Sequence, residues 1–119
     1  MEAVKPVALP ATAWQGKNFK NKILKPMGRA GFVVDLRPGK RVFHFQLRVI
    51  PGEKKGFGYL IFRLRDRAIG SAYVDHADWR EHNVEVQAAG GKYWLEAEFY
   101  KGDGMPNPST IEMGETEVT

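Results

Sequence analysis

Along RVFHFQLRVI, residues 41 to 50, apolar and polar side chains alternate. Phe43, Phe45, Leu47 and Val49 fall in one phase, and Val42, His44, Gln46 and Arg48 in the other. A period of two marks a strand with one buried face. YLIFRLRD repeats the pattern, with Leu60, Phe62 and Leu64 inward and Ile61, Arg63 and Arg65 outward, and Asp66-Arg67 turns the chain tightly into AIGSAYV. GFVVDL, residues 31 to 36, reads as a short apolar strand, HNVEVQA as a strand with Val84 and Val86 inward, and a last strand is expected from Ile111. Pro38-Gly39 suits the two central positions of a type II turn, and Gly90-Gly91 reads as a hairpin turn. No window of useful length has helical periodicity. About seven to nine short strands, with turn signals at intervals of roughly 8 to 12 residues, predict an all-β fold: an antiparallel β-sandwich.

GGKYWLEAEFY, residues 90 to 100, sets two bulky aromatics side by side. In a strand, Tyr93, Leu95, Ala97 and Phe99 share the apolar face, so Tyr93 is expected in the core. Trp94 then shares the outer face with Glu96, Glu98 and Tyr100. Two readings of that face are open. Trp94 and Tyr100, roughly 20 Å apart along the strand, could stack against the C–H faces of sugars while the glutamates or Gln46 bind hydroxyls. Alternatively, Trp94 is covered by the N-terminal arm or by Arg and Lys stems. Trp79 reads as a packing tryptophan where a strand begins, and Trp14 could cap one end of the sandwich.

At 119 residues, 43% of them hydrophobic and 27% charged, the chain is long enough for one domain with its own core. Residues 1 to 13 are Ala/Pro/Val-rich and read as an extended arm, leaving 14 to 119 as the sandwich. No apolar run approaches the roughly 18 to 20 residues that cross a bilayer, so no membrane partner is expected. The first twenty residues lack the apolar stretch of a signal peptide. The absence of cysteine excludes disulfides, thiolate metal sites and a thiol nucleophile.

The net charge of +4 is unevenly spread. Residues 1 to 67 hold fifteen Lys and Arg against four Asp and Glu, and residues 68 to 119 hold three against ten. If strands of the two halves interleave, this becomes cross-strand pairing. The basic series Lys17, Lys20, Lys22, Lys25 and Arg29, with Phe19 interleaved, could instead grip nucleic acid or another anionic polymer.

Catalytic chemistry has little support. There is no G-x-S-x-G, and Thr12, Ser71, Ser109 and Thr110 do not adjoin a histidine. Glu96 and Glu98 sit on a flat strand rather than across a cleft, and pairing with Arg48, Arg63 or Arg65 accounts for them. DHAD, residues 75 to 78, offers three potential metal ligands, but His44, His76 and His82 are not spaced as a zinc motif. The chain is therefore read as a binding domain, not an enzyme.

From residue 31 onward the order of features resembles the calcium-dependent carbohydrate-binding modules of the xylan-binding type. The resemblance runs through LRPGKRVFHFQLRVI, a glycine-rich loop, LIFRLRDRAIGSAYV, Trp79 a few residues before a V-x-V strand, AAGGKYWLEAEF and a closing strand. It implies a jelly-roll topology and polysaccharide binding as a module of a larger protein, extracellular or at the cell surface. It also implies calcium and sugar contacts in loops at one end, which places Asp103 as a metal ligand with Asn107 near it; Asn107 and Trp14 then join Trp94 and Tyr100, read from the strand phase, as candidate ligand contacts. The chain departs from the family in two places: no adjacent Asn-Asp pair occurs, and Gly114 stands where the family has an aspartate in the last strand.

Overall fold

The structure is a computed structural model and describes residues 18–50, 57–100 and 110–119. Eight strands follow one another: β1 (Lys22–Leu24), β2 (Arg29–Leu36), β3 (Gly39–Val49), β4 (Gly58–Leu64), β5 (Arg67–Val74), β6 (Arg80–Ala88), β7 (Gly91–Tyr100) and β8 (Ile111–Val118). They form two four-stranded sheets, ordered β1-β8-β3-β6 and β2-β7-β4-β5. All pairings are antiparallel. This is the jelly-roll order, in which successive strands mostly change sheet.

The core lies between the sheets and is made by the inward phases read from the sequence. Phe43, Phe45, Phe62 and Phe99 are buried there, as are Tyr93 and Leu95. Phe45 of β3 and Phe62 of β4 stack across the gap, ring centroids 3.9 Å apart and planes within 4°. The hydroxyl of Tyr93 accepts a bond from the Ala89 N–H at 3.1 Å, so its one polar atom is satisfied in the interior.

Two local readings change in three dimensions. Gly90 and Gly91 have φ of 98° and 117°, as a tight turn requires, but β6 and β7 belong to different sheets. The pair turns a corner between layers and closes no hairpin. The tight hairpin is between β4 and β5, where Arg65 takes a φ of 62°. Phe19 is fully buried, edge-on to Phe32 at 4.8 Å, and so belongs to the core and is not available to stack on a polymer held by the basic series. The short β1 follows it, and the Asn18 side chain extends that edge by bonding both the N–H and the C=O of Thr116, at 2.9 and 3.0 Å.

The charge asymmetry resolves into pairing between the halves. Arg29 meets Glu98 at 2.8 Å, Lys40 meets Glu85 at 3.4 Å, and the Arg48 Nε donates to Glu112 at 2.7 Å. Each pair joins a cation of the first half to a carboxylate of the second on a neighbouring strand.

Candidate functional site

Register assembles what sequence distance hides. On the outer face of the sheet β2-β7-β4-β5, Tyr59 of β4 is the Cα partner of Tyr73 on one side and of Tyr100 on the other. Their neighbours Leu60, Ala72, Val74 and Phe99 are buried in the core, so the alternation of the strands turns the three tyrosines outward. Three phenol rings thus form a row across three adjacent strands, spanning about 10 Å at the usual strand spacing. Tyr73 is 53% exposed and Tyr100 45%. Phe57 extends the row beside Tyr73, centroids 5.2 Å apart, and Tyr59 meets Tyr100 at 6.1 Å with planes crossing at 76°. One step along the face, Glu98 accepts Arg29 and lies 3.8 Å from Arg63. The row therefore has a polar, ion-paired border; of the partners expected for Glu96 and Glu98, Arg63 lies beside Glu98, whereas Arg48 pairs with Glu112 on the other sheet and Arg29 supplies the shorter contact to Glu98. Burial raises the Glu96 carboxyl above its ordinary pKa, with Arg29 partly opposing this.

Trp94 does not share Tyr100's exposure. It is only 3% exposed, although its side chain lies on the outer phase of β7 and outside the inter-sheet cluster. The reason is Gly31, on the same face of the neighbouring β2. A Cβ built there would lie 2.3 Å from Trp94 Cζ2, so the indole occupies the space that any other side chain would fill. Its Nε1 is buried and makes no hydrogen bond. The sugar-stacking expectation for Trp94 is corrected accordingly: a ring lodged on the strand surface offers no open face to a ligand.

Trp79 departs from expectation in the other direction. It is 43% exposed, on the outer face of the sheet β1-β8-β3-β6, and the Arg48 guanidinium carbon lies 4.4 Å from its ring centroid. Trp14, Asp103 and Asn107 lie outside the described residues. At Gly114, where the family resemblance places an aspartate, the chain offers no carboxylate. A Cβ there would come within 3.2 Å of the Trp79 ring. Among the described residues no group of three His, Cys, Asp or Glu could hold a metal ion.

The DHAD segment is a brace. The His76 C=O accepts the Val49 N–H at 2.9 Å, and His76 Nδ1 lies 2.8 Å from the Asp78 carbonyl. A carbonyl only accepts, so Nδ1 carries the proton, and in the neutral ring Nε2 accepts from His82 Nε2 at 3.0 Å. Burial comes first, and repulsion from His76 when it is protonated and from Arg80 adds to it, so the His82 pKa is lowered from its ordinary 6.5. The unfolded chain therefore binds this proton more readily in the window below about 6.5, and stability should fall as pH drops through it. Urea midpoints at pH 7.5 and 5.5 test this: the wild type should lose stability at the lower pH, and His82→Gln should lose less.

No protein-family model matches the chain, and no curated protein does. Solved structures do share its fold. The CBM36-1 domain of a multidomain xylanase from the hindgut metagenome of Trinervitermes trinervoides superposes with a TM-score of 0.66 at 10% identity, over 82% of this chain and 75% of that one. The EclA C-terminal domain, described as a sugar-binding protein, superposes with a TM-score of 0.57 at 16% identity, over 100% of this chain and 81% of that one. At these identities the likeness establishes the all-β sandwich that the strand order already shows.

Proposed function

We propose that this chain is a non-catalytic carbohydrate-binding module that holds a polysaccharide on the row Tyr73, Tyr59 and Tyr100, extended by Phe57. The row itself carries the reading. Aromatic faces bind the axial C–H groups of sugars, and the border of Glu98, Arg29 and Arg63 offers partners to hydroxyls. A span of about 10 Å accommodates consecutive sugar rings, which a lone exposed aromatic does not. The crossing of Tyr59 and Tyr100 at 76° prevents both rings from lying flat on one plane. That shape suits a single twisted glycan chain in solution and disfavours a crystalline surface. The sugar-binding description of the structurally similar domains supports the same reading, and a place outside the cell or at its surface, as part of a larger protein, accords with it.

Affinity electrophoresis in gels containing soluble xylan or β-glucan tests the proposal. Tyr59→Ala and Tyr100→Ala should each weaken binding about tenfold, the loss of one stacked ring. Silence of the wild type across neutral and acidic glycans, or variants that bind as the wild type does, would reject it. Calcium assistance is proposed only for the segment holding Asp103 and Asn107, and equal affinity in calcium and in EDTA would remove it. A second reading, an interaction or assembly domain that binds protein or an anionic polymer through the basic N-terminal half, demands in its polymer form that heparin or nucleic acid bind with steep salt dependence. It is weakened by the ion pairing of Arg29 and the burial of Phe19.

A further inference from the structure

The sheet that faces away from the tyrosine row carries its own aromatic site. Trp79 immediately precedes β6, and the edge of its ring lies over Gly114 of β8, where a Cβ would stand 3.2 Å from Cζ3 and 2.9 Å from the Gln46 Cβ. A β-bulge shapes this seat: between the pairs Phe45–Thr116 and Leu47–Met113, both Gly114 and Glu115 face the single residue Gln46. Arg48 stacks on the indole at 4.4 Å and is held by its Nε bond of 2.7 Å to Glu112. The indole is thus fixed from two sides while 43% of the residue stays exposed.

Beside it on the same face, Gln46 and Glu81 are Cα partners, and Gln46 Nε2 donates to Glu81 Oε1 at 3.4 Å. The other Glu81 oxygen lies 3.3 Å from His44 Nδ1. We infer that Trp79, Gln46 and Glu81 form a second glycan subsite, which takes a neutral pyranose. The inference rests on the carbohydrate-binding reading and extends it to the opposite face.

The charge arrangement selects the sugar class. Arg48 is already matched to Glu112, so the acceptors beside the indole are the Glu81 carboxylate and the Gln46 carbonyl oxygen. Acceptors bind sugar hydroxyls, which donate. A uronate carboxylate would instead meet the Glu81 carboxylate as a like charge, while the Arg48 charge is already taken up by Glu112. Because the sheets lie back to back, the two subsites point in opposite directions and cannot share one short oligosaccharide. A single module would then hold two glycan chains, one on each face.

Isothermal titration with xylohexaose and cellohexaose tests this, together with turbidity of the module mixed with soluble polysaccharide. The wild type should bind two oligosaccharides per chain and cross-link the polymer. Trp79→Ala should retain one site and lose the cross-linking, and a Tyr59→Ala/Tyr100→Ala variant should retain the other. Glu81→Gln, which preserves shape, should weaken the Trp79 site severalfold and guards against misfolding of the tryptophan variant. One site per chain that Trp79→Ala and Glu81→Gln leave untouched would overturn the second subsite while leaving the tyrosine row standing. No binding by the wild type to any glycan would overturn both.

Discussion

Phe45→Ala should lower the stability of the domain by about 3–5 kcal/mol, the upper range for truncating a buried aromatic. The ring is fully buried, lies parallel to Phe62 of the opposite sheet at 3.9 Å, and has Phe43 and Phe19 at 5.8 and 6.1 Å. Truncation would therefore open a cavity walled by rings from both sheets. Each wall is tied into its own hydrogen-bonded ladder, so collapse around the gap is restricted and the cavity cost persists. Phe45→Leu keeps most of the volume and should cost much less. Urea unfolding checks both: the midpoint should fall with an unchanged slope. A loss below about 1 kcal/mol for the alanine variant would mean that the two sheets do not depend on this stack for their packing.

Gly31→Val should cost about 2–3 kcal/mol, although valine is a better strand former than glycine. The added Cβ would meet Trp94 Cζ2 at 2.3 Å, Cε2 at 2.7 Å and the Leu95 carbonyl oxygen at 2.9 Å. Strand propensity spans only about 1 kcal/mol and cannot offset expulsion of an indole from its seat. The mechanism makes a second, sharper statement. In a Trp94→Leu background the same substitution should cost much less, because the clashing ring is gone, and a double-mutant cycle reads that coupling directly. Additive costs would show that Gly31 is needed for some reason other than the tryptophan.

These two positions also mark how far the sequence could be read. The alternation in β3 and β4 placed Phe43, Phe45 and Phe62 inside because a side-chain period of two is a local property and survives into the fold. Which strands become neighbours is not local. Gly90-Gly91 looks the same whether the chain doubles back within one sheet or crosses to the other, so the corner between β6 and β7 read as a hairpin. Tyr59, Tyr73 and Tyr100 are far apart in the chain, and only the register of β5, β4 and β7 lines them up. The available signal was weak: each is an outward-phase aromatic at one end of a strand. Trp94 also sits in an outward phase, yet it is buried, because exposure depends on the neighbouring strand and not only on the phase. A glycine in the outward phase of that neighbour was the clue. Phe19 was absorbed into a run of lysines because an isolated aromatic in a basic segment has no period to betray it.

The bonding of Asn18 to Thr116 bears on how the domain carries load. Asn18, four residues ahead of β1, sits beside Thr116 near the end of β8, and the two strands run antiparallel beyond it. Tension applied between Asn18 and Thr119 would act across the ladder and not along it, so its hydrogen bonds would break one after another instead of sharing the force. Pulled this way, the β1–β8 edge would open like a zipper at low force while the stacked phenylalanines behind it still held the two sheets together.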